Sequence, residues 1–151
     1  MARHIMIRVS GFEEVLSATL VEGEDAEFAD MLWNEVAEPV RMWTVHTVST
    51  GDWFSGRGRP ALHAQPTGTQ ANPLGRAHMM CEVSPGSIVY QGHRSLGFGY
   101  GPDVTEPLPT QGPIVARADN LDAFYRAGRH VCDSHFRTHQ LVTVTVGRGE
   151  K

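Results

Sequence analysis

At 151 residues, 40% hydrophobic and 20% charged, the chain is long enough for one ordinary domain with a proper core and too short for two comfortable ones. A net charge of −4, a pI near 6.0 and arginines scattered along the sequence argue against a nucleic-acid footprint. Cys81 and Cys132 match no zinc-ribbon or CxxC spacing and are too few for a disulfide framework; no apolar run approaches the roughly 20 residues that span a bilayer, so a soluble cytoplasmic protein with reduced cysteines is expected.

The first segment, His4 to Ser10, alternates Ile5, Ile7 and Val9 against Met6 and Arg8, the period of a half-buried strand. Gly11 and Phe12 turn the chain. Glu13 to Val21 then reads as an antiparallel partner, with Leu16, Ala18 and Leu20 on one face and Val15, Ser17 and Thr19 on the other. From Glu24 the period changes: Phe28, Met31, Leu32 and Val36 recur at helical spacing, with Glu24, Asp25 and Glu27 in the first turn where the helix dipole favours acids, and Pro39 as the stop.

The run MWTVHTV follows, rich in β-branched and aromatic residues, and leads into Ser49, Thr50, Gly51 and Asp52, which carry turn chemistry. This places His46 at a strand end and Asp52 at a loop mouth. Ser55 to Leu74, crowded with Gly, Pro, Gln and Thr, predicts a long loop, a feature often associated with lids and rims. Ser87 to Gln91 and Ser95 to Gly101 predict strands joined by a turn at Gly92, His93 and Arg94. In the second of them Gly97, Gly99 and Gly101 leave one face bare, which marks a close approach by another element or a ligand. A proline-rich loop from Pro102 to Pro113 precedes a strand at Ile114 to Ala118. A second helix then starts at an Asp119 or Asn120 cap, with Leu121, Phe124, Gly128, Val131 and His135 on its apolar stripe, and Leu141 to Val146 forms a last alternating strand. Many antiparallel strands with two separated helices predict a mainly β, α+β domain over 1–151, built on a sheet or small barrel.

This order of elements, together with VHTVSTGD at Val45 to Asp52, PGSIVY at Pro85 to Tyr90 and the stretch Phe124 to Phe136, resembles the bacterial cyclophilin-like proteins, and more narrowly the uncharacterised DUF3830 group with its H-x-x-x-[ST]-G-[ED] pattern. The resemblance implies a small closed β-barrel of about eight mostly antiparallel strands with two helices. It does not imply prolyl isomerase chemistry, because true cyclophilins carry an arginine just after a Phe-His pair and this sequence has no such pair. The cucumopine-type synthases, similar in their barrel, show that the architecture can host acid–base chemistry on a small molecule, although fold does not fix function.

Candidate chemistry centres on His46, since histidine is the side chain that titrates nearest neutral pH; the alternative is a histidine satisfied by its own strand and loop. Asp52 either orients that imidazole or bonds the local turn backbone. His135 is either a second acid–base partner or a buried, hydrogen-bonded member of its helix. His130, His135 and His139 include a pair one helical turn apart, but no HExxH motif or cysteine pair accompanies them, and no metal and no cofactor are expected. Trp53, Tyr90 and Tyr100 are candidate walls of a ligand pocket or simply core, and His93 with Arg94 suits capture of a carboxylate or forms a solvated turn. The resulting expectation is a pocket between the long loop and the hairpin turn that holds a small polar metabolite and acts on it by acid–base chemistry, in a protein favouring a homodimer. Its rivals are a non-catalytic small-molecule binding protein and a peptidyl-prolyl isomerase or peptide-binding module.

Overall fold

The computed structural model describes residues 2–23, 25–58 and 68–149. Among them, eight antiparallel strands close into a barrel: β1 (His4–Val9), β2 (Leu16–Leu20), β3 (Val40–His46), β4 (Gly51–Gly58), β5 (Ser87–Gly92), β6 (Ser95–Val104), β7 (Ile114–Ala118) and β8 (Thr143–Arg148). Around the wall they run β1-β2-β7-β5-β6-β4-β3-β8, so every strand is paired on both sides and none is left as an open edge. Alternation decides which side chains enter: Ile5, Ile7, Val9, Leu16, Ala18, Leu20, Val144 and Val146 point inward, as their period demands. At the centre Phe54 and Phe98 stack with ring centroids 4.6 Å apart.

Two helices flank the barrel. Helix α1 (Ala26–Glu35) brings Ala29, Leu32 and Val36 into the core and sets Phe28 against Tyr90, with ring centroids 6.0 Å apart. Helix α2 (Leu121–Phe136) packs where β3, β4 and β6 present His46, Asp52 and Tyr100; its stripe is Ala123, Phe124, Ala127, Gly128, Val131 and Ser134. Asn120 caps it, the side-chain oxygen accepting the Ala123 N–H at 3.0 Å. No helix among the described residues is long and apolar enough to cross a membrane.

Several local expectations need correction. Met31 is 45% exposed and Leu121 55%, so each helix presents a face rotated slightly from the one predicted, with small residues, Ala29 in α1 and Ala123 in α2, filling the buried positions instead. Ser55 to Gly58 belong to β4 and not to a loop, while 59–67 lie outside the described residues. The glycines that suggest a loop there are packing glycines: a Cβ on Gly56 would meet Met42 at 3.2 Å, and one on Gly58 would meet Arg94 at 2.7 Å. Asp52 likewise sits in β4, buried, beside a register shift at Gly51 to Trp53. Gly51 is required there, since its φ is +98° and a Cβ would lie 1.8 Å from the Asp103 carbonyl oxygen. β6 continues through Pro102 to Val104, which pairs with Gly51, so the proline-rich connection is shorter than its composition suggests.

The tightest helix contact is Gly128 against the Tyr100 ring, where a Cβ would lie 2.0 Å from Cγ. Gly128→Ala gains about 1 kcal/mol of helix propensity but drives α2 off the ring, an overpacking cost of about 1–3 kcal/mol or more. Urea denaturation is therefore expected to show a net loss of stability; a stabilised variant would mean that α2 is not seated on Tyr100.

Candidate functional site

The structure gathers the predicted residues into three places. The first lies beneath α2. His46, the last residue of β3, faces inward and is only 7% exposed. Its Nδ1 is 2.8 Å from the Thr47 carbonyl oxygen and its Nε2 is 2.7 Å from the Tyr100 hydroxyl. A carbonyl only accepts, so in the neutral imidazole Nδ1 carries the hydrogen and Nε2 accepts the Tyr100 O–H. Burial lowers the His46 pKa, the Thr47 carbonyl opposes this, His135 and Arg129 lower it further, and Asp52 raises it weakly. Burial also pushes the Tyr100 phenol up, reinforced by Cys132 and Asp52, so it stays a donor. The Phe136 ring covers His46 edge-on, with centroids 5.5 Å apart.

Asp52 and His135 are neighbours of this pair but bond neither member. The Asp52 carboxylate accepts the Asp103 N–H at 3.2 Å and rests against Gly101, where a Cβ would be 2.3 Å from Oδ2. Its role in the backbone is thus visible, and its influence on His46 is electrostatic. His135 lies beyond Phe136, its ring centroid 6.3 Å from that ring, with a buried Nε2 that has no hydrogen-bond partner among the described residues. His130 bonds the Ser10 carbonyl at 2.9 Å, and no cluster of three potential metal ligands occurs among the described residues.

The second place is at α1. Glu35 accepts the Tyr90 hydroxyl and, at 2.6 Å, the Arg94 backbone N–H, while His93 Nδ1 stands 3.7 Å away. Burial, with the Glu35 carboxylate beside it, pushes the Tyr90 phenol up. The His93–Arg94 turn does meet a carboxylate, and it is the protein's own. Arg94 holds a left-handed φ of 57° in that turn, so Glu35 ties the β5–β6 hairpin to the last turn of α1.

The third place is on the outer wall. The indole of Trp53 lies flat on the bare face of β6: a Cβ at Gly97 would be 2.4 Å from the ring and one at Gly99 3.3 Å. The segment from 68 to 83 straps this wall through Gly68 N–H to the Gln91 carbonyl (2.9 Å), Leu74 N–H to that of Gln111 (3.0 Å) and Met80 N–H to that of Leu108 (2.8 Å). Between strap and wall is a cavity of about 210 Å³, with Trp53 and Met80 as apolar walls and Thr50, Gln91, Glu106 and Gln111 among its polar ones. Gln91 is 2% exposed, and its carboxamide oxygen, like that of Gln111, has no hydrogen-bond partner among the described residues. A buried polar group without a partner is costly, of the order of 1–3 kcal/mol, and such groups in native proteins call for an explanation.

No protein-family model matches the chain, and no curated protein matches it either. Among solved structures, that of McbB in complex with tryptophan has the same fold, with a TM-score of 0.77 at 19% identity over 97% of this chain and 45% of McbB. The chain therefore spans less than half the length of that protein.

Of the residues predicted to bind ligand, only Trp53 lines the polar cavity; Tyr100 is on the inner side of the same wall, and Tyr90, His93 and Arg94 surround Glu35. Gln91, Gln111 and Glu106 were missed. A sequence signal existed for Gln91 alone, a polar residue continuing a strand whose other members are apolar or small.

The depressed His46 pKa fixes a pH dependence. Its unfolded value is 6.5 and the folded one is lower, so the unfolded chain takes up the proton first; this contribution to stability is complete above pH 6.5 and is lost as pH falls below it. Urea titrations at pH 7.5 and at pH 5 should show wild type losing more stability on acidification than His46→Gln; equal losses would mean that His46 is not buried in the neutral state.

Proposed function

We propose that this protein binds a small polar molecule in the outer-wall cavity over β6. The observation that carries the reading is Gln91: a carboxamide buried at 2% exposure, with an unpartnered oxygen, on the wall of a polar cavity. Ligand sites combine apolar walls with a few convergent polar groups, and about 210 Å³ is below the 300–1,000 Å³ common for drug-sized ligands, which suits a small metabolite. McbB, similar in fold, has been solved with tryptophan bound, which is in keeping with small-molecule binding. The closed barrel and the HTVSTGD stretch support placing the chain among the cyclophilin-like proteins, with DUF3830 as the narrower assignment.

An acid–base role for His46 is the second reading. Its support is geometric: the imidazole is neutral and fixed in one tautomer, and Thr47, whose carbonyl holds Nδ1, also lines the cavity. In that reading turnover of a bound metabolite disappears in His46→Gln while binding persists.

Gln91→Leu separates a ligand-binding carboxamide from a structural one. Removing an unsatisfied buried group without loss of volume is expected to be neutral or to stabilise the free protein by about 1 kcal/mol. A metabolite that raises wild-type stability, by about 2.7 kcal/mol at a hundredfold excess over Kd, should stabilise the variant far less. Thermal-shift screening of both proteins checks this; marked destabilisation of the free variant would make Gln91 a structural residue.

A further inference from the structure

We infer that the outer-wall cavity selects a ligand carrying a protonated amine. This rests on the proposed binding function of the cavity and adds the chemical class of what binds.

The charge of the site is carried by Glu106. One of its carboxylate oxygens receives the Thr50 hydroxyl at 3.3 Å, a long and weak contact, and the other accepts from no protein donor among the described residues. Glu106 forms no ion pair there, and the described lining of the cavity contains no lysine, arginine or histidine. A carboxylate facing a cavity shared with apolar walls favours a cation and repels an anion, and its charge-assisted hydrogen bonds are the strong ones. The other polar lining groups, Thr47, Thr50, Ser55, Gln70, Gln91 and Gln111, are uncharged. The Thr50 and Thr47 hydroxyls are committed as donors, to Glu106 and to the Trp53 carbonyl, whereas the carboxamides of Gln91 and Gln111 line the cavity with enclosed oxygens that have no partner among the described residues. Carboxamides can turn over to offer either end, so they tolerate many ligands; the carboxylate cannot. Selection by charge therefore falls to Glu106, and Trp53 and Met80 supply the apolar surface for whatever the amine is attached to.

Three probes with one ring and three headgroups test this: benzylamine, benzyl alcohol and benzoate, titrated into the full chain while the Trp53 indole N–H resonance is followed, assigned by its loss in Trp53→Phe. The expected result is a saturable shift with benzylamine, binding about tenfold or more tighter than benzyl alcohol, and no shift with benzoate. Glu106→Gln should bring benzylamine down to the level of the alcohol while the spectrum of the free protein keeps its dispersion. If benzyl alcohol or benzoate binds as well as benzylamine, or if Glu106→Gln leaves benzylamine unchanged, the amine selectivity is overturned and the cavity stands as a binding site. If none of the three moves Trp53, both the selectivity and the site fall.

Discussion

Three alternate positions of β6, Gly97, Gly99 and Gly101, lack a side chain, and the arrangement around both sides of that strand follows from it. The Trp53 indole can lie down across Gly97 and Gly99 only because no Cβ stands there, and the Gln91 carboxamide fits beside Gly97 for the same reason. Gly101 admits the Asp52 carboxylate and the Tyr125 ring. The intervening residues, Leu96, Phe98 and Tyr100, all point into the barrel and carry its core. One strand thus separates a dense interior from an outer face on which Trp53, Gln91 and Val83 rest directly against the backbone of Gly97 and Gly99. The smallness of the glycines, more than their backbone freedom, is what the fold uses here.

The two sides of β6 have different chemistry. Inside, both ring nitrogens of His46 and the Tyr100 hydroxyl have found protein partners, and the electrostatics hold the imidazole neutral and the phenol protonated. Outside, carboxamide oxygens remain unmatched beside a carboxylate and a cavity. A satisfied, buried pair positions backbone and helix; an unsatisfied set beside a cavity invites a ligand. Thr47 joins the two, giving its carbonyl to His46 and its hydroxyl to the Trp53 carbonyl while it lines the cavity.

Much of the barrel was legible in the sequence because strand alternation is a local signal: β1, β2, β3, β5, β7 and the antiparallel sense of the first hairpin follow from it. β4 was half hidden, since Gly56 and Gly58 look like loop residues until Met42 and Arg94 are seen to fill the space beside them. The bare face of β6 was legible as a place of close approach, but not that the approaching group would be Trp53. The site was harder still. HTVSTGDW does hold His46, Asp52 and Trp53, yet alternation and the register shift at Gly51 send Trp53 to the outer wall and the other two to the barrel end beneath α2. Pairings such as His46 with Tyr100, or Glu35 with Tyr90 and the Arg94 amide, span more than fifty residues and leave no trace in local pattern. Glu106 and Gln111 come from a proline-rich connection where polar residues are ordinary, so nothing singled them out.

The most direct test of the central claim, that the functional surface is the outer wall over the β6 glycines, is a crystal structure of the protein grown with 4-bromobenzylamine, using the anomalous bromine signal to locate the ligand. Bromine is expected beside Trp53 and Met80 with the amine turned toward Glu106. Bromine at the His46–Tyr100 end beneath α2, or at Glu35 beside the β5–β6 turn, with the outer cavity filled only by solvent, would contradict it.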